Sequence, residues 1–198
     1  MKRKILSFLA AGMLFTLPAA AQSVGVVMSG GGAKGLYHIG VLQALEESGI
    51  PIDYVSGTSM GSIIAGMYAA GYSPEEMRRI VASGVVKQWV SGRIDPRYTP
   101  YYRQIGHNPA FLSVRMTVGG AGKRFRVTNL LSSTPIDMAL TELFAPATAA
   151  AEGDFDRLMV PFLCVSSGMN AREPVVMRNG DLSEAVRSSM SIPLVFKP

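Results

Sequence analysis

Tyr54-Val55-Ser56-Gly57-Thr58-Ser59-Met60-Gly61 runs from a short apolar segment into the small-residue stretch Ser62-Ile63-Ile64-Ala65-Gly66-Met67. A serine between two glycines, at the passage from a strand to a helix, has the pattern of a nucleophile elbow. The reason is steric: the turn is tight, and side chains two positions either side of the serine would collide in it. The hydroxyl of Ser59 then projects into the open, near the positive end of the following helix. Such a pentapeptide also arises by chance, so its meaning depends on what surrounds it.

One strand earlier, Val24-Gly25-Val26-Val27-Met28-Ser29 is an apolar run with little alternation, as expected of a strand buried on both faces. It ends in Gly30-Gly31-Gly32-Ala33-Lys34-Gly35, and a helical pattern follows with His38, Val41, Leu42 and Leu45 on one face. Gly49 is placed to end that helix, and Pro51 forbids its continuation. Strand, loop, helix, strand, turn and helix in this order open an α/β fold with a mainly parallel central sheet and helices on both faces. Loops at the carboxyl ends of adjacent parallel strands share one edge, where ligands bind. The glycine loop and the Ser59 turn are therefore expected to be neighbours. Acyl transfer needs a nucleophile and preorganised donors for the oxyanion, and the backbone amides of Gly30, Gly31 and Gly32 could supply them.

Other chemistries fit less well. Gly30-x-Gly32-x-x-Gly35 matches a dinucleotide fingerprint, but the end of the second strand carries the elbow instead of a ribose-binding acid. No Gly-Lys-Ser/Thr follows for a P-loop. A triad Ser59…Asp95…His107 has the right chain order but no strand between its acid and its base. His38 sits on an apolar helix face as a satisfied core histidine. With two histidines and no clustered acids, neither a metal site nor a cofactor is expected. Cys164, the single cysteine, lies in an apolar run and reads as a buried structural thiol.

The 198 residues amount to one domain or most of one. Met1-Lys2-Arg3-Lys4, an apolar run over 5–17 and Ala19-Ala20-Ala21 compose an export signal over 1–21. The expected destination is the periplasm, the outer membrane or the exterior. The chain carries 19 basic and 14 acidic residues, three of the basic ones in that signal, so 22–198 is nearly balanced at +2. Its pI is therefore no mark of nucleic-acid binding. Within residues 77–130 the bias is strong, with ten basic residues against the one acid Asp95 and aromatics such as Trp89 and Tyr101 interleaved. That insertion is either a solvated surface or a face toward anionic lipid headgroups. Alternation through Leu112, Val114, Met116 and Val118, and again through Phe125 and Val127 after Gly119-Gly120-Ala121-Gly122, predicts a β-hairpin.

Elsewhere, Ser73-Pro74-Glu75-Glu76 predicts a helix start with a capping box, and Thr134-Pro135 another helix to about residue 144. A loose alanine-rich connection over 145–156, buried strands over 160–165 and 174–177, and a helix over 182–189 complete the chain.

The glycine loop, the elbow and the block Leu182-Ser183-Glu184-Ala185-Val186-Arg187-Ser188-Ser189-Met190-Ser191-Ile192-Pro193, taken together, resemble the patatin-like phospholipase family. The resemblance covers nearly all of 24–198. It implies a patatin-like fold and hydrolysis of a phospholipid or other acyl ester by a Ser–Asp dyad, with Ser59 as nucleophile and residues 30–35 as oxyanion loop. It also implies a membrane surface as partner, and in exported bacterial relatives a periplasmic repeat and an outer-membrane barrel downstream. The family's aspartate lies in Asp-Gly-Gly or Asp-Gly-Ala, and no aspartate here is followed by glycine. The expectation is a domain incomplete at its C-terminus and inactive as it stands, a fragment of a longer protein or, alternatively, a naturally inactive relative. A non-catalytic lipid-binding module is the alternative.

Overall fold

The computed structural model describes residues 23–92, 114–117, 124–127, 133–168 and 171–191. Along them run β1 (Gly25–Met28), a 3-10 turn (Gly32–Leu36), α1 (Tyr37–Glu47), β2 (Tyr54–Thr58) and α2 (Met60–Ala69). Next come α3 (Pro74–Ala82), α4 (Val85–Ser91), β3 (Val114–Thr117), β4 (Arg124–Val127) and α5 (Thr134–Ala150). A second 3-10 turn (Phe155–Arg157), β5 (Phe162–Ser167), β6 (Pro174–Met177) and α6 (Leu182–Ser189) follow. The central sheet has the order β1-β2-β5-β6. Its first three strands are parallel, and β6 returns antiparallel to β5, so the expected α/β fold has a mixed sheet. β3 and β4 pair antiparallel as a separate hairpin, with Val114 opposite Val127.

The register sorts the side chains into two rows. Met28, Gly57 and Cys164 stand side by side, as do Val26, Val55 and Phe162. That face is the core: Met28, Val55, Phe162 and Cys164 are buried with Leu140, Phe144, Leu182 and Val186 from the helices. Phe155 tilts against Phe162 with ring centroids 5.8 Å apart. Alternate residues point the other way, where Val27 is 82% exposed and Tyr54 and Val176 are each 54% exposed. Of the two expected helical layers, the described residues supply one. β1 is accordingly half-buried with period two, against the expectation of burial on both faces, because side chains alternate along any strand. β6 is likewise an exposed edge among the described strands.

The helices follow their local signals closely. α3 starts with the expected capping box: the Glu76 amide donates to Ser73 Oγ at 3.3 Å, and Ser73 N–H donates to Glu76 Oε2 at 2.9 Å. α1 ends where Gly49 adopts φ 67, its amide donating to Glu46 and that of Ile50 to Leu45. Two expectations are corrected. α1 buries Ile39 and Leu42 while Val41 is 49% exposed, so its face is turned by about one residue from the predicted one. α5 does not stop near 144 but continues through Pro146 to Ala150. Alanine is the best helix former, and Phe144 and Ala151 anchor both sides of the proline in the core. Pro146 removes one helical hydrogen bond, and the packing outweighs that loss.

Candidate active site

β1 and β2 are parallel neighbours, so their carboxyl ends release the glycine loop and the elbow on the same edge. Contact between the two is direct. A Cβ placed on Gly30 would come within 3.0 Å of Ser59 Cβ and 3.4 Å of Thr58 O. Any side chain at position 30 would push on Ser59 itself. The elbow is just as tightly built: a Cβ on Gly57 would sit 2.4 Å from Gly61 O, and one on Gly61 would sit 2.3 Å from Met28 O. The steric reading of the Gly-x-Ser-x-Gly spacing therefore has a definite origin. The first turn of α2 packs against both the strand before it and the end of β1.

Ser59 adopts φ 55 and ψ −124, a conformation rarely tolerated outside glycine. Its side chain is not used to cap α2, and no described residue hydrogen-bonds to its hydroxyl. The hydroxyl is therefore free for chemistry at the N-terminus of a helix, where backbone dipoles favour developing negative charge. The backbone of Ser59, by contrast, is held on both sides. Its carbonyl accepts from Ser62 Oγ at 2.6 Å and from the Ser62 amide at 2.9 Å. Its amide donates to Ser189 Oγ at 2.8 Å, and that hydroxyl donates onward to the Val165 carbonyl at 2.5 Å. Sequence reasoning assigned no role to Ser62 or Ser189. The spacing Ser189-x-x-x-Pro193, inside the block quoted above, was the available signal for the second.

In the glycine loop, Gly31 and Gly32 have φ of 146 and 57, and Ala33, Lys34 and Tyr37 are exposed beside them. Beside the elbow, a cavity of about 530 Å³ opens between the end of β5 and the last turn of α6. Thr58, Val165, Ser188 and Ser189 line it, and Arg172 is its one charged residue among those described.

No described carboxylate stands beside Ser59. Asp53 accepts from the Val24 amide at 2.6 Å, at the opposite edge of the sheet. Asp137 pairs with Arg187, Asp154 caps the Phe155–Arg157 turn, Asp156 follows that cap, and Asp181 caps α6. Asp95 and His107 lie outside the described residues. His38 has Nε2 3.0 Å from the Ser29 carbonyl and is satisfied as expected, but it is half-buried and not a core residue, because α1 turns Ile39 and Leu42 inward instead. Cys164 is fully buried, its thiol donating to the Ala185 carbonyl at 3.3 Å, and burial pushes its pKa up to about 11. It is a structural thiol beneath the elbow, not a nucleophile.

The sequence pattern of the patatin-like phospholipase family matches residues 26–198. The chain belongs to the patatin-like phospholipase family. It is similar to Lysophospholipase NTE1 of Yarrowia lipolytica, 58% identical over 53 residues, which is 27% of this chain and 4% of that protein. A patatin-like phospholipase domain-containing protein of Caenorhabditis elegans, ZK370.4, is 31% identical over 177 residues, 89% of this chain and 11% of that one. The chain thus spans about a tenth or less of the length of these curated relatives. Among solved structures, full-length ExoU of Pseudomonas aeruginosa in complex with SpcU aligns over 87% of this chain and 39% of its own, at 20% identity and TM-score 0.48.

Proposed function

We propose that this patatin-like domain is a serine lipid acyl hydrolase in which Ser59 is the nucleophile and the loop Gly30-Gly31-Gly32-Ala33-Lys34-Gly35 binds the oxyanion. One observation carries the reading: the uncommitted hydroxyl of Ser59, on a strained turn at a helix N-terminus, directly against Gly30. Ser59 Oγ would attack the ester carbonyl carbon while a carboxylate takes its proton. The ester C–O bond then breaks, and the alcohol leaves with that proton. Water attacks the acyl-serine, releases the fatty acid and returns a proton to Ser59. A serine without a base is a weak nucleophile, so this mechanism requires a carboxylate that the described residues do not place beside Ser59. Gly57, Thr58, Met60 and Gly61 shape the turn.

The lysophospholipase relatives and the 530 Å³ cavity beside the elbow support a phospholipid or related acyl ester as substrate. The basic, aromatic segment within 77–130 supports docking on an anionic membrane surface. The leader over 1–21 supports export, and the processed protein should begin at Gln22 by intact mass. The deciding experiment compares hydrolysis of a lysophospholipid and a short-chain ester by the full-length protein and by its Ser59→Ala variant. Equal rates would remove Ser59 from the mechanism. If neither protein turns over either ester but both sediment with anionic vesicles at low salt, the non-catalytic lipid-binding alternative takes its place.

A further inference from the structure

The backbone of Ser59 is strained, and strain of this kind costs about 1–3 kcal/mol and persists only where the surroundings over-determine it. Two hydroxyls do so here. Ser62, within the helix that Ser59 opens, holds the carbonyl, an arrangement local to the elbow. Ser189 holds the amide from 130 residues away. We propose that Ser189 is the positioning residue that keeps Ser59 in its reactive conformation, through a hydroxyl bridge from the Ser59 amide to the Val165 carbonyl. This rests on Ser59 being the nucleophile.

The bridge stands at a particular place. Thr58 and Val165 are the last register pair of β2 and β5. One more rung of that ladder would bring the Ser59 amide toward the Val165 carbonyl. The turn at φ 55 swings the chain out of the strand at that point, and Ser189 Oγ fills the gap, accepting from one group at 2.8 Å and donating to the other at 2.5 Å. Both backbone groups are thereby satisfied without pulling Ser59 back into an extended conformation. The support behind Ser189 is firm. It lies in the last turn of α6, whose Leu182 and Val186 are fully buried and whose Ala185 carbonyl accepts from the Cys164 thiol. Its hydroxyl proton is committed to Val165, so Ser189 does not itself react. It acts through Ser59.

Removing the hydroxyl leaves a half-buried amide without a partner and lets the turn relax. A reacting atom displaced by about 1 Å can cost about 100-fold in rate. The test measures the second-order rate of covalent labelling of the full-length protein by a fluorophosphonate, with the modified residue located by mass spectrometry. In parallel, kcat and KM are measured on a short-chain ester. Ser189→Ala should label about 10- to 100-fold more slowly and lose kcat with KM unchanged. Ser189→Thr, which restores the hydroxyl and has the cavity to hold its methyl, should recover most of both. Ser183→Ala, which removes a buried side-chain bond at the other end of α6, should lower the melting temperature yet label at the wild-type rate. Wild-type labelling of Ser189→Ala overturns the proposal, and so does failure of the threonine to restore it. Equal slowing in Ser183→Ala overturns it too, because the effect would then be general loosening of the helix. Absence of label on Ser59 in the wild type, or undiminished labelling of Ser59→Ala, overturns the nucleophile assignment itself.

Discussion

The two glycine-bearing turns at the carboxyl edge look alike in sequence and are built on opposite principles. In the elbow, Gly57 and Gly61 are required for space: a Cβ on either would meet backbone at 2.4 or 2.3 Å. In the loop, Gly32 is required for conformation, since its φ is 57 while nothing lies within 4 Å of where its Cβ would be. The first turn is packed from all sides and holds a strained serine still. The second is open, which suits a backbone that must approach a substrate. On the proposed mechanism, a rigid nucleophile beside an accessible donor loop is the division of labour an acyl-transfer site needs.

Substitutions can break or sharpen that contrast. The largest expected effect is on chemistry: Ser59→Ala should lower ester hydrolysis by on the order of 10⁴-fold or more while the protein stays folded, measured by kcat/KM beside thermal unfolding. Gly61→Ala comes next. Its methyl would press on the Met28 carbonyl, so we expect a loss of about 3 kcal/mol, the upper end for overpacking, in chemical denaturation. Gly32→Ala has room for the methyl and suffers only the left-handed backbone penalty of about 1–2 kcal/mol. A Gly32→Ala loss equal to that of Gly61→Ala would erase the distinction between the turns.

The smallest effect concerns the support behind the elbow. Asp181 caps α6 through the amides of Ser183 and Glu184. Asp181→Ala should cost about 1 kcal/mol and speed hydrogen exchange at the Ser59 amide more than in the glycine loop. Partial burial pulls the Asp181 carboxyl upward, but the hydrogen bonds from Ser183 and Glu184 prevail and hold it below its usual value. Its folded pKa being depressed, the cap stabilises above the unfolded value of about 3.9 and is lost as pH falls through the folded one. Melting curves below pH 4 should show this loss in the wild type and not in Asp181→Ala.

Much of the fold was legible wherever the signal was local. The capping box of Ser73 and Glu76, the hairpin between β3 and β4, and the bounds of β6 and α6 follow from neighbours a few residues apart. The proximity of Gly30 to Ser59 was legible too, because parallel strands with a short crossover force their carboxyl ends together. What could not be read depended on partners distant in the chain. Val41 and Ile39 are equally apolar, and only the seating of α1 against α2 and α3 decides which is buried. Pro146 is a helix breaker by its own chemistry, and only the packing of Phe144 beside Gly66 keeps the helix going through it. The outward row of Val27, Tyr54 and Val176 likewise reflects which face the described helices chose to cover.

The sequence by itself determined the elbow, the loop and their shared edge, because steric exclusion in a five-residue turn and the geometry of parallel strands leave little else. Only the tertiary structure decided how the strained serine is held. Ser189 comes from 130 residues further along the chain, and a single hydroxyl spans the gap where the β2–β5 ladder ends. Hydrogen bonds of that kind depend on positions set to a few tenths of an ångström by the packing of a whole core, and no spacing along the chain records them.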